Sequence, residues 1–263
     1  MPHYDTALPG TRLAYLTDGS DNDMAQTGIF WLGGLKSDMT GAKAEALAAM
    51  ARANRRSALR FDYSGHGASG GAFADGTISQ WLDQAVHMFI TRTTGRRVIA
   101  GSSMGGWLAL LLARALERED PAHFRRIAGL VLIAPATDMT EVLMWEKFPP
   151  AIRQQIRDQG FWDLPNDYGG GYHISAGLID DGRHHLLFRD GLSLPMPVRI
   201  LQGSEDQDVP PGHAIRTFEM LSGPDITLSF IKGGDHRLST PSQLMIITET
   251  VARLCDRSDG VNP

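Results

Sequence analysis

The chain has 263 residues, of which 42% are hydrophobic and 21% charged, and its formal net charge is −5. That length can bury one sizeable core, the charge lacks the basic surplus of a nucleic-acid-binding domain, and no apolar run reaches the length of a membrane span. The N-terminus, Met1-Pro2-His3-Tyr4-Asp5-Thr6, has neither the basic nor the apolar region of a signal peptide. Cys255 is the single cysteine, so no intramolecular disulfide can form and a reducing cytoplasm is the expected compartment. Its apolar helical surroundings predict a buried, inert thiol.

In chain order the text alternates between strand and helix. Residues 11–17 and 28–32 read as strands, 42–54 as an alanine-rich helix, and 57–61 as a further strand. Residues 78–93 place Trp81, Leu82, Ala85, Val86, Phe89 and Ile90 on one face of a helix. A short apolar strand then ends near residue 102, and 107–116 is a strong helix former. Residues 130–134 are continuously apolar, as a strand covered on both faces requires. From 139 to 195 the alternation stops, and the text is helical, irregular, rich in aromatic residues and methionine, with no convincing strand. It resumes with strand 198–201, helix 211–221, strand 226–231 and helix 241–254. The economical topology is α/β: a mostly parallel central sheet flanked by helices, built from residues 1–138 and 196–263, with a helical cap inserted at 139–195.

The chemistry starts at Gly101-Ser102-Ser103-Met104-Gly105, where a strand passes into a helix through Gly-x-Ser-x-Gly. That context is a nucleophile elbow: Ser103 takes a strained backbone conformation and stands above the sheet, with a helix N-terminus beneath it for developing negative charge. Gly67-Ala68-Ser69-Gly70-Gly71 fits the same pattern, but no apolar helix follows. Ser69 therefore reads as part of a glycine-rich connection.

A serine hydroxyl needs a base, and in this architecture the chain order is nucleophile, acid, histidine. Beyond the candidate acids lie His213 and His236. His213 opens a helix, where capping or solvation accounts for it. His236, between the strand 226–231 and the last helix, is the expected base. The acid comes from Ser204-Glu205-Asp206-Gln207-Asp208, and chemistry alone does not choose among its carboxylates. The spacing from Gly203 puts Asp206 at the loop crest; Asp208 is the alternative, with a sufficient role near the next helix N-terminus, and Glu205 reads as solvated. An oxyanion needs two N–H donors, expected from Met104 and from Leu35 after the Gly33-Gly34 pair.

These motifs resemble the α/β-hydrolases of the serine-esterase and acyl-protein-thioesterase group, most of all the abhydrolase-domain-ten type of mitochondrial palmitoyl-protein thioesterase. Residues 34–44 (GLKSDMTGAKA), residues 60–69 (RFDYSGHGAS) and the elbow carry the resemblance, with 203–210 and Asp235-His236-Arg237. In the insertion, Phe161-Trp162 and Tyr168 recur in similar surroundings. The resemblance implies Ser103, Asp206 and His236 as nucleophile, acid and base. It also implies hydrolysis of thioesters and esters, S-acyl cysteine in particular and acyl glucuronides as a further class. The lack of a transit-like N-terminus departs from those relatives and suggests a bacterial form.

Other residues read more plainly. His173, His184 and His185 lack the ligand spacing of a metal site, and no metal or cofactor is expected. Asp62 reads as a hydrogen-bonding partner of its own loop. Some of Met139, Met144, Trp145, Phe148, Phe161 and Trp162 should face an acyl pocket, and Trp145, Phe161 and Trp162 are the expected substrate-binding residues. The expected function is cleavage of an ester or thioester, on a small molecule or an acylated protein, through an acyl-enzyme. A serine peptidase on the same fold and a non-catalytic ligand-binding relative are the competing readings.

Overall fold

The apolar runs become strands and the amphipathic runs cover them in the computed structural model, which describes residues 1–8, 10–19, 26–164 and 172–261. The strands are β1 (His3–Asp5), β2 (Leu13–Asp18), β3 (Gly28–Leu32), β4 (Ala58–Phe61), β5 (Arg97–Ser102), β6 (Ile127–Ile133), β7 (Phe161–Leu164), β8 (Tyr172–Ser175), β9 (Leu192–Ser193), β10 (Val198–Gly203), β11 (Leu221–Ser222) and β12 (Ile226–Ile231). The helices are α1 (Ala42–Ala53), α2 (Ile78–Arg92), α3 (Met104–Glu119), α4 (Pro121–Phe124), α5 (Pro150–Gln159), α6 (Ala176–Gly182), α7 (Pro211–Met220) and α8 (Pro241–Ser258).

Eight strands form the central sheet in the order β1-β2-β4-β3-β5-β6-β10-β12. From β4 to β12 the neighbours are parallel, and β1 and β2 extend the sheet antiparallel. Strands β5 and β6 are buried along their whole length because helices cover both faces. On one face Trp81 and Phe89 of α2 and Trp107 of α3 pack into the larger apolar cluster. On the other, Leu47 of α1 and Val251, Leu254 and Cys255 of α8 form the second. Burial pushes the Cys255 thiol up to about 12, which leaves it protonated and inert.

Parallel strands bring the loops after β3, β5, β10 and β12 to one edge of the sheet, where ligands bind in open α/β folds. Between β6 and β10 the chain leaves the sheet. It forms a π-helical turn (Met139–Trp145), then α5, α6 and an antiparallel β7–β8 hairpin that pairs Phe161 with Ser175 and Trp162 with Ile174. This hairpin corrects the expectation of an insertion without strands. Strands of four residues are too short to display a period of two, although Phe161, Trp162 and Ile174 have strand-forming side chains. Tyr168 lies outside the described residues. Asp138, in the left-handed conformation with φ 55°, accepts hydrogen bonds from Leu187 N at 2.8 Å and Phe188 N at 3.0 Å, which closes the insertion on itself. Among the described residues no helix is long and apolar enough to cross a membrane.

Candidate active site

Strand β5 ends at Ser102 and α3 begins at Met104, so Ser103 alone makes the turn between them. It does so at φ 55° and ψ −118°, a region that costs a non-glycine residue on the order of 1–3 kcal/mol. Its surroundings enforce that geometry. A Cβ on Gly101 would come within 2.2 Å of Gly105 O, and one on Gly105 within 2.1 Å of Leu32 O. Strand, turn and the neighbouring β3 are thus packed too closely for any side chain, and the hydroxyl stands at the sheet edge.

The loops after β10 and β12, expected to carry acid and base, meet over this turn. His236 Nε2 lies 3.0 Å from Ser103 Oγ, and His236 Nδ1 lies 2.8 Å from Asp206 Oδ2. Asp206 is 2% exposed and receives N–H donors from Gln202 Nε2 at 3.0 Å, Asp208 N at 3.0 Å and Val209 N at 2.8 Å. Those donors orient one carboxylate oxygen to the imidazole and satisfy the other. Glu205 N donates to Gly234 O at 2.9 Å and Ser204 N to Ile231 O at 3.0 Å, which stitches the two loops together. Asp208 and Glu205 are exposed, and a carboxylate oxygen of Asp208 comes within 4.8 Å of both Asp206 and His236.

The third loop, after β3, touches the serine directly: a Cβ on Gly34 would stand 3.3 Å from Ser103 Cβ. Leu35 follows it on the wall of the cavity, and Met104 N–H opens α3. Among the described residues no backbone acceptor takes up either N–H. The cavity at Ser103 measures about 740 Å³. Its apolar wall from the insertion is Met139, Leu143 and Met144.

Trp145, Phe161 and Trp162, the expected substrate contacts, are not among the described residues that line this cavity. Trp145 lies under the guanidinium groups of Arg153, Arg157 and Arg183 at 5.8, 5.2 and 5.0 Å. Phe161 stacks on His173 at 4.4 Å, and Trp162 packs edge-on to Phe148 at 5.1 Å. These rings hold the insertion together. Leu143, which lines the cavity, was not singled out in the sequence, and the signal for it was its spacing four residues after Met139, which a helical turn brings to one side.

Three further residues are placed clearly. Ser69 Oγ donates to Asp62 O at 2.6 Å and accepts from Ala14 N at 2.8 Å, so it pins its glycine-rich loop to β2. Asp62 accepts from Met39 N at 2.6 Å and Ala68 N at 2.8 Å, the loop-bonding role expected of it. His213 differs from expectation: it is 8% exposed rather than solvated, edge-on to Phe188 at 5.2 Å, and burial lowers its pKa to about 4.

An elbow serine under a histidine, on a parallel sheet with loops gathered at one edge, defines a class. The sequence pattern described as the alpha/beta hydrolase family matches residues 29–245, and the chain belongs to that family. Among its relatives is the mitochondrial palmitoyl-protein thioesterase ABHD10 of Mus musculus, 30% identical over 238 residues, covering 90% of this chain and 77% of the relative. The structure of alpha/beta hydrolase domain-containing protein 10 from mouse superposes with a TM-score of 0.84 at 28% identity, covering 98% of this chain and 99% of that one. A crystal structure from Agrobacterium vitis S4 superposes with a TM-score of 0.92 at 35% identity, covering 97% of this chain and 98% of that one. Family and relatives together support an enzyme of the hydrolase class.

Proposed function

We propose that this chain is a serine hydrolase that cleaves carboxylic esters or thioesters through an acyl-enzyme on Ser103. The observation that carries the reading is the chain Ser103 Oγ–His236–Asp206, at 3.0 and 2.8 Å, on a backbone held in a strained turn. His236 Nε2 takes the hydroxyl proton as Oγ attacks the carbonyl carbon, and Asp206 keeps the imidazole in the tautomer that can accept it. The N–H groups of Leu35 and Met104 receive the developing oxyanion, aided by the N-terminus of α3. His236 then gives its proton to the leaving alkoxide or thiolate. Water, activated by the same imidazole, releases the acid. No cofactor enters these steps.

The insertion 139–195 acts as the cap, and Met139, Leu143 and Met144 take the acyl chain. The thioesterase among the relatives makes S-acyl groups, on protein or small molecule, the favoured substrates. A lone thiol held protonated by burial leaves no cysteine to compete with Ser103 and suits a reducing compartment such as the cytoplasm. The test is hydrolysis of a series of nitrophenyl acyl esters beside an S-acyl thioester. Turnover of both by the wild type, lost in Ser103→Ala, is the expected result. No turnover of any member by the folded wild type would remove the reading.

A further inference from the structure

The first turn of α1 carries Lys43, which lines the same cavity as Ser103 and His236. Its Nζ donates to the carbonyl oxygen of Arg237, the residue after His236 and 194 positions away in sequence. A lysine in an opening helical turn ordinarily extends into water. This one is folded back against the base loop.

The helix that carries it is mounted firmly. Just before α1, the Met39 peptides are gripped on both sides: Met39 N–H donates to Asp62 Oδ1 at 2.6 Å, and Met39 O accepts from Arg60 Nη1 at 2.8 Å. Both partners are themselves buried, Asp62 at 2% and Arg60 at 5% exposure. Arg60 also pairs with Glu45 of α1 and with Asp18 of β2, the latter at 2.9 Å. A buried cation and a buried carboxylate spent on one stretch of backbone fix where α1 begins, and so where Lys43 stands.

We propose that Lys43 is a positioning residue for His236: its ammonium holds the base loop by the Arg237 carbonyl and keeps the imidazole between Asp206 and Ser103. The proposal rests on reading Ser103 and His236 as nucleophile and base. The charged groups that face Lys43 are Asp235 and Arg237 on the base loop and Asp206 on the acid loop. Lys36 and Asp38 of the loop after β3, with Glu205 and Asp208, line the same cavity. Burial outweighs the two aspartates and lowers the Lys43 pKa to about 8. The tether is therefore charged at neutral pH and loses its charge just above it. A neutral amine donates a weaker hydrogen bond than an ammonium, so the base loop loosens as pH rises.

The experiment compares wild type, Lys43→Met and Lys43→Arg on a nitrophenyl ester from about pH 6 to about pH 10, after fluorophosphonate titration of active serine. Methionine keeps the apolar stem and removes the charge; arginine keeps a cation that stays protonated throughout. Lys43→Met should lower kcat about 10–100-fold with KM little changed, the size expected for a misplaced catalytic group, and Lys43→Arg should recover most of it. The wild-type kcat should fall along an alkaline limb near pH 8, moved far upward in Lys43→Arg and absent in Lys43→Met. A Lys43→Met enzyme with kcat within about twofold of wild type, or a Lys43→Arg limb left near pH 8, overturns the proposal. If Lys43→Met fails to fold, the Lys43→Arg limb decides alone. Failure of the serine reading shows separately, as hydrolysis by a wild type whose Ser103 takes no label.

Discussion

Asp206 and Asp208 stand two residues apart in one loop and differ in almost everything that matters to an acid. Asp206 is buried under three N–H donors with one oxygen turned to His236, whereas Asp208 is exposed and its backbone N–H serves Asp206. Asp206→Asn should therefore lower kcat by about 10,000-fold, because an amide stabilises the wrong tautomer of the imidazole. Asp208→Asn should stay within about threefold of wild type, since its side chain is open to water and the carboxylate oxygen that bonds His236 Nδ1 is that of Asp206. Steady-state kinetics on folded variants check the ranking, and the reverse order would transfer the acid role to Asp208. That Ser103 and His236 would come together was legible, because motif, chain order and loop position all constrain them. The choice of Asp206 was harder to read, since it depends on which carboxylate the loop turns inward. Lys43 was not legible at all: its partner carbonyl lies at the far end of the chain. His213 misled for a similar reason, as Phe188 from the insertion is part of what covers it.

Among the elements, β3 and β12 were read to the residue, whereas β1 was not read and β6 begins three residues before the expected strand. Burial on both faces demands the continuous apolar text of β3, β5 and β6. The insertion was read as helical because α5 and α6 show the helical period, whereas the β7–β8 strands are too short to show theirs. The expected substrate contacts Trp145, Phe161 and Trp162 pack instead on three arginines, on His173 and on Phe148, while Leu143 lines the cavity. Leu143→Ala should therefore lengthen the acyl chain at which kcat/KM stops rising, by the room a lost isobutyl group leaves. Below that limit each methylene should raise kcat/KM about fourfold, from ~0.8 kcal/mol per buried CH₂. Trp162→Ala should lower stability and leave the chain-length profile unchanged. A shifted profile in Trp162→Ala and none in Leu143→Ala would return the aromatic residues to the pocket.

For the molecule as a whole, histidines set how stability responds to mild acid: burial lowers the pKa of His66, His185 and, most of all, His213. His213 titrates near 4 in the folded chain, against about 6.5 in an unfolded one. Between those values the unfolded state binds a proton that the folded state does not, so stability falls as pH drops from about 6.5 toward 4, by on the order of 3 kcal/mol in all. Asp5, Asp225 and Asp259 act in a lower window. Their carboxylates are held below the ordinary range despite some burial, through hydrogen bonds and ion pairs with Arg92, Arg199 and Arg56 among others. The stability they add is present above their unfolded value and is lost as pH falls through the depressed one. Urea unfolding at about pH 7 and about pH 5, on wild type and His213→Leu, separates the two windows. The wild type should lose more between those pH values than the variant. Equal losses would mean that His213 contributes nothing in this window and that His66 and His185 carry it.

The central claim is that Ser103, and not the second serine set in the same pattern, is the reactive one. Ser69 already spends its hydroxyl on Asp62 O and the Ala14 N–H, while Ser103 Oγ faces His236 Nε2 in an open cavity. Peptide mapping by mass spectrometry after treatment with a fluorophosphonate tests this most directly. The predicted result is one adduct on Ser103, retained in Ser69→Ala and abolished in Ser103→Ala. An adduct on Ser69, or one that survives in Ser103→Ala, would contradict the account.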